Sequence, residues 1–199
     1  MPMNIEKLLN IDKLYINAND IAALLSIDYK SAQVTASRYV TRNILVRLKR
    51  DCYILPQRLK NASEVELFQI ANILQTPSYV SLTSALSYYN ITTQQIRNYL
   101  ESVCLKRTNL FKIRDIEFAY SKINKVFYFG FQKVENFFIA FPEKALADSI
   151  YLTAIGRYKT DFDAIDFQKI NCDKVSSIIK NSNAAVKNLW QKLMKNYNL

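Results

Sequence analysis

Only two glycines, Gly130 and Gly156, occur in the 199 residues of this chain. Glycine enters positive φ without steric cost, so a chain this poor in it must turn with other residues. Asn and Asp are the best substitutes. Tight turns are therefore expected where an Asn or Asp stands between patterned runs. The same scarcity excludes chemistry. A GxGxxG dinucleotide loop and a P-loop both need glycines at close, fixed spacing, which two glycines this far apart do not supply.

No histidine is present either. That removes Ser–His and Cys–His nucleophile pairs, a His general base, and His ligands for zinc. Cys52, Cys104 and Cys172 form no CxxC pair and read as reduced thiols of a cytoplasmic protein. No pair of carboxylates stands out. The expectation is a protein with no catalytic residue, no metal and no cofactor.

The first sixty residues carry the clearest pattern. Ile5, Leu8 and Leu9 after Asn4 suggest a short opening helix. Asn17 is placed to cap a second helix. Asp20 falls at its third position, and Ile21, Ala22, Leu24 and Leu25 form its apolar face. Ser26-Ile27 interrupts, and Asp28 caps a third helix. Ala32, Ala36, Tyr39 and Val40 fall on the inner side of that helix. Lys30, Gln33, Val34, Ser37, Arg38 and Thr41 fall on the other. Asn43 stands where a left-handed cap is wanted. Ile44 to Leu48 and Cys52 to Leu55 then read as two strands around Lys49-Arg50-Asp51, with Asp51 in the positive-φ position. Two short helices and a basic-tipped hairpin form the order of a winged helix-turn-helix, expected over residues 1–60.

Charge agrees with that order. The net formal charge is +10. Residues 38–60 hold Arg38, Arg42, Arg47, Lys49, Arg50, Arg58 and Lys60 against Asp51 alone. Clustered cations of this kind suit a polyanion. Lys30, Gln33 and Ser37 are the best placed to read base edges. Val34 and Arg38 take that role if the helix is rotated by one residue, and Thr41 and Arg42 lie further along the same face. Lys49 and Arg50, with Arg47 in the strand behind them, are placed for phosphates or a minor groove.

Residues 61–199 read as a second, α+β domain. Gln57 to Ala62 is a polar linker into it. Ser63 with Glu66 opens an apolar helix that Pro77 ends, Ser81 to Tyr89 forms another, and Gln94 to Leu100 suggests a helical continuation. Ser102 to Lys106, Phe111 to Ile113, Ile116 to Tyr120, Val126 to Phe129 and Phe137 to Phe141 read as strands of a small, mostly antiparallel sheet. Pro142 opens a helix in which Lys144 and Asp148 stand four apart, exposed as a weak pair or buried as a polar anchor. A last amphipathic helix carries Val186, Leu189, Trp190, Leu193 and Met194 on one face and Lys187, Gln191, Lys192 and Lys195 outside it, and is expected to dock on its own domain. No run approaches a membrane span, and the N-terminus lacks the order of a signal peptide. No membrane partner is expected.

The motifs Asp20-Ile21-Ala22-x-Leu24-Leu25, Lys30-Ser31-Ala32, Arg38-Tyr39-Val40-x-Arg42-Asn43 and Arg47-Leu48-Lys49-Arg50-Asp51-x-Tyr53 resemble the N-terminal domain of AbiEi-type antitoxins. The later runs Pro77-Ser78-Tyr79-Val80-Ser81-Leu82-x-Ser84-Ala85-Leu86 and Ile139-Ala140-x-Pro142-Glu143-Lys144-Ala145-Leu146-x-Asp148, behind Phe129-Gly130, resemble the C-terminal region of that family. The resemblance spans about residues 15–155. Glycines usual in the family stand here as Asn43 and Asp51. The resemblance implies an antitoxin of a bacterial abortive-infection system. Such a protein represses its own operon by binding double-stranded operator repeats and neutralises a nucleotidyltransferase-like toxin, without requiring a stable complex with it. Two other readings stay open: a ligand-responsive winged-helix transcription regulator, and a module whose winged helix binds protein.

Overall fold

A computed structural model of the chain describes residues 7, 8, 10–94 and 97–199. The chain is of the α+β class and divides into two compact units, Met1–Ile70 and Ala71–Leu199. Asn4, Ile5 and Leu9 of the expected opening helix lie outside the described residues.

In the first unit, α1 (Ala18–Leu25) begins with Asn17 and Asp20 in the reciprocal capping box expected of them. It ends at Ser26, which takes φ 53°. The turn Ser26–Asp28 leads into α2 (Tyr29–Thr41), where the Asp28 carboxylate accepts the Ser31 N–H at 3.0 Å. Past α2, Asn43 takes φ 56° and Asp51 takes φ 53°. Among the described residues nine non-glycines occupy positive φ, and five of them are Asn or Asp: Asn43, Asp51, Asn90, Asn98 and Asn198. A chain short of glycine has turned with the residues that tolerate the left-handed region best.

Strands β1 (Val46–Lys49) and β2 (Cys52–Ile54) form an antiparallel hairpin with a register shift between Arg47 and Lys49. Ile16 adds a bridge on its edge, exchanging both backbone hydrogen bonds with Tyr53 at 2.8 Å. The core of this unit is Leu8, Ile16, Ala18, Ile21, Ala32, Ala36, Leu45 and Tyr53, with Leu24, Leu25, Tyr39 and Val40 among the residues packed around it. Ala32 and Ala36 are fully buried, and their small size allows α1 and α2 to approach closely. The segment read as a linker is partly helical: Pro56, in the first helical position, opens the short α3 (Pro56–Lys60). Ser63 and Glu66 then form a capping box at α4 (Glu64–Leu74).

The second unit holds a larger sheet than the sequence suggested, and a mixed one. Its strands are β3 (Ser78–Val80), β4 (Tyr99–Cys104), β5 (Asn109–Ile113), β6 (Ile116–Lys122), β7 (Phe131–Val134) and β8 (Phe137–Ala140). They lie in the order β5-β6-β4-β3-β8-β7. The pairs β4–β6 and β3–β8 are parallel and the others antiparallel. The sheet is mostly antiparallel, as expected, but it has six strands and two parallel pairs. Side-chain alternation along a strand does not encode which neighbour it pairs with or in which direction. Two assignments change with it. Val126 to Phe129 is not a strand, since Lys125–Phe127 forms a 3-10 turn capped by Asn124. Tyr99 and Leu100, read as helical, belong to β4; Gln95 and Ile96 lie outside the described residues.

Helix α5 (Leu82–Tyr88) packs against β4 and against α6 (Pro142–Ala154), which carries Pro142 in its first turn as expected. Helices α7 (Cys172–Ile179) and α8 (Ala184–Tyr197) pack on α6. Val186, Trp190 and Leu193 are buried, so α8 docks on its own unit and leaves Lys187, Gln191, Lys192 and Lys195 exposed. No helix among the described residues is long and apolar enough to cross a membrane.

Candidate functional site

The ten residues singled out by sequence fall on two elements of the first unit. Burying Ala32, Thr35 and Ala36 fixes the rotation of α2 and turns its polar side outward. Lys30, Gln33, Val34, Ser37, Arg38, Thr41 and Arg42 then line one open depression along that outer face. Lys30, Val34, Ser37 and Thr41 follow each other at spacings of four, three and four, the repeat of one helix face. Both rotations considered for this helix thus meet in the same surface.

Several of these side chains are oriented by their neighbours. The Gln33 amide donates to the Tyr29 hydroxyl at 3.2 Å, and that hydroxyl donates to Asp51 Oδ2 at 3.2 Å. Arg38 donates to Thr35 Oγ1 at 3.3 Å, while the Thr41 hydroxyl bonds back to the Ser37 carbonyl at 3.2 Å. The Asp28 carboxyl at the start of α2 is held below its usual range by the Ser31 hydroxyl and N–H groups. It therefore stays an anion and an N-cap through the neutral range.

The other three candidates stand on the hairpin. Lys49 and Arg50 are exposed at its tip. Arg47 is exposed on β1, but its guanidinium leans over the Tyr53 ring at 5.6 Å and reaches the Tyr53 hydroxyl at 3.5 Å. A guanidinium at this distance is attracted to the face of the ring. Cys52, across from Lys49, is buried, and burial pushes its thiol up to about 11, so it is a protonated core residue at neutral pH.

Tyr29 was not singled out by sequence, although its position four before Gln33 was a usable signal. Two polar centres in the second unit were also missed as sites. Lys144 and Asp148, one turn apart on α6, are both fully buried and ion-paired. Asp148 also accepts from the Tyr79 hydroxyl at 2.9 Å and the Ser81 hydroxyl at 2.8 Å. The ammonium lies over the rings of Phe129, Phe127 and Tyr79 at 5.2, 5.8 and 5.9 Å. Burial outweighs the donors and leaves the Asp148 carboxyl above its ordinary range. The Ser81 hydroxyl donates to Asp148 and makes no capping bond to α5. The buried Glu101 carboxylate makes one instead, accepting the Thr83 N–H at 3.1 Å and the Tyr158 hydroxyl at 3.0 Å. Between the two centres Leu82, a fully buried residue, is held at φ 56°.

Beside Lys144 a concavity of about 530 Å³ is lined by Phe129, Gly130, Phe141, Glu143, Lys174 and neighbouring residues of α7. The chain matches no protein-family model, and a search of curated proteins finds no relative.

Proposed function

We propose that the chain is a DNA-binding antitoxin of an abortive-infection system, acting in the cytoplasm as a binding protein and not as an enzyme. In this reading the first unit is a winged helix-turn-helix. Helix α2 enters the major groove of operator repeats, and the β1–β2 hairpin is the wing that grips phosphate. The second unit neutralises a nucleotidyltransferase-like toxin. The observation that carries the DNA part is the outer face of α2: seven polar, basic or exposed residues line one surface, on the unit that also exposes Lys49 and Arg50. The antitoxin part rests on the resemblance in sequence motifs.

The test is a titration of fluorescent duplex DNA with the full-length protein at several salt concentrations. If Lys30, Arg38, Arg42, Arg47, Lys49 and Arg50 all meet phosphates, log K falls against log salt with a slope of about −5. An isotherm indifferent to salt overturns the reading. Growth rescue on co-expression with a nucleotidyltransferase-like toxin encoded beside this gene tests the second part.

The concavity beside Lys144 favours a second reading, a ligand-responsive regulator. Its volume lies in the range of small-molecule sites, roughly 300–1,000 Å³. A screen in which a small molecule changes DNA affinity, with no toxin effect in cells, supports this reading over the first.

A further inference from the structure

The outer face of α2 carries one side chain that neither packing nor charge explains. Val34 is 58% exposed, on a helix whose buried side is already formed by Ala32, Thr35 and Ala36. Lys30, Ser37 and Thr41 surround it at helix spacings, so it stands near the middle of the depression. An exposed β-branched residue adds nothing to helix propensity, and its side chain offers a partner only an apolar surface.

Beside it, Gln33 is oriented. One of its amide N–H groups is engaged by the Tyr29 hydroxyl, which is itself anchored on Asp51. The second N–H and the carbonyl oxygen remain for a partner. An N–H and a C=O side by side match the N7 acceptor and N6 donor of adenine in the major groove. The 5-methyl of thymine is the one apolar group on that groove edge. Lys30, Arg38 and Arg42 supply cations around the two, which fits a duplex as the occupant.

Resting on the reading of α2 as a recognition helix, we propose that Val34 reads the 5-methyl group of a thymine and that Gln33 reads an adjacent adenine edge. The sequence this chain selects therefore contains adjacent A and T bases beneath the middle of α2. Val34 is a specificity-determining residue whose contact is a single methyl group.

The experiment starts from a duplex enriched by the full-length protein from a randomised pool. Each thymine of the enriched duplex is then replaced singly by deoxyuridine, which removes the methyl and leaves the hydrogen-bonding edge intact. Wild-type protein should bind about fourfold more weakly when the contacted thymine is replaced, the factor expected for one buried methyl group. All other replacements should be silent. Val34→Ser should bind the thymine and deoxyuridine duplexes alike. A flat deoxyuridine scan with the wild-type protein overturns the proposal, and so does a Val34→Ser variant that keeps the discrimination. The scan needs no variant, so it decides even if Val34→Ser folds poorly. If the wild-type protein enriches no duplex at all, the recognition-helix reading itself fails, and this inference with it.

Discussion

The Asp51 carboxylate at the β1–β2 hairpin accepts the backbone N–H of Ala18 at 2.8 Å, across thirty-three residues of sequence. Ala18 is the first residue of α1, and its N–H has no partner within the helix. Asn17 caps the Asp20 N–H, so the hairpin satisfies the donor that the local cap leaves open. The other oxygen of Asp51 accepts the Tyr29 hydroxyl at the start of α2. One turn residue thus ties the hairpin to both helices that precede it.

Replacing Asp51 should separate its two roles. Asp51→Ala loses the acceptor for both donors and keeps a Cβ at φ 53°. The expected loss is about 1 kcal/mol for the cap, because the wild-type Asp51 already bears the backbone cost. Asp51→Gly loses the same acceptor but relieves the backbone by about 1 kcal/mol, so it should lose clearly less than Asp51→Ala. Urea unfolding of the full-length variants measures both, and equal losses would show that the backbone conformation carries no cost.

The Lys144–Asp148 pair should cost more to break by one substitution than to replace by two. Lys144→Met leaves the Asp148 carboxylate buried with only the Tyr79 and Ser81 hydroxyls. A loss of about 3–5 kcal/mol is expected. The double variant Lys144→Met, Asp148→Leu should recover part of it, limited by the Tyr79 and Ser81 hydroxyls that lose their acceptor. A double-mutant cycle by chemical denaturation checks this, and additive losses would refute the coupling.

Gly130 and Gly156 both sit at positive φ, at 74° and 70°, but in different surroundings. A Cβ on Gly130 would lie 3.0 Å from Lys144 Cγ, whereas one on Gly156 would meet nothing within 4 Å. Gly156→Ala should therefore cost only the backbone term, about 1–2 kcal/mol. Gly130→Ala should cost more, because it also presses on a side chain that cannot leave its buried pair. Thermal melts of the two variants compare the sites directly.

Burial of Glu101 should give the second unit a pH dependence whose sign follows from its raised carboxyl pKa. Burial raises its carboxyl pKa, only partly offset by the Tyr158 hydroxyl and the Thr83 N–H. A carboxyl raised in the folded state binds its proton more tightly there. Its stabilising contribution is complete below the ordinary Glu value of 4.5 and is lost as pH rises through the folded value. Glu101→Gln keeps an oxygen acceptor for both donors and removes the charge. Its stability relative to wild type should rise as pH increases from about 4.5 toward neutrality. Melting temperatures of the two proteins across that range test the sign, and a constant difference would show that the group does not titrate differently on folding.

On duplex DNA, Lys49→Gln and Arg50→Gln should each flatten the log–log salt slope by about 0.9 and weaken all sequences alike. Gln33→Ala should instead cost about 1–3 kcal/mol at one base pair. Binding across a panel of single-base variants distinguishes them. An even loss for Gln33→Ala, or a changed base preference for Lys49→Gln, would reverse the assigned roles.

Local chemistry was legible wherever one residue and its near neighbours decide the outcome. The Asn17–Asp20 and Ser63–Glu66 capping boxes, the Asp28 cap, and positive φ at Asn43 and Asp51 need only side chains within a few positions of the backbone they serve. Helix periodicity likewise placed Lys30, Gln33, Val34, Ser37, Arg38, Thr41 and Arg42 on one outer face, because the same repeat that buries Ala32 and Ala36 exposes them.

Sequence by itself therefore determined α1, α2, α4, α5, α6 and α8, the caps of α1, α2 and α4, the Asn43 and Asp51 turns and the excess of positive charge, all of which are local or additive properties. Tertiary structure alone decided the rest. Strand alternation left β3 and β7 unseen, and it does not state that β6 lies between β5 and β4, or that β3 pairs with β8 in parallel. The i, i+4 spacing of Lys144 and Asp148 suits an exposed pair and a buried one equally. Tyr79 and Ser81 lie more than sixty residues earlier in the chain, and only folding brings their hydroxyls to the Asp148 carboxylate. The tie from Asp51 to Ala18 has the same origin. Burial and long-range hydrogen bonding depend on which distant segments meet, and that is set by the packing of the whole unit, not by any window of its sequence.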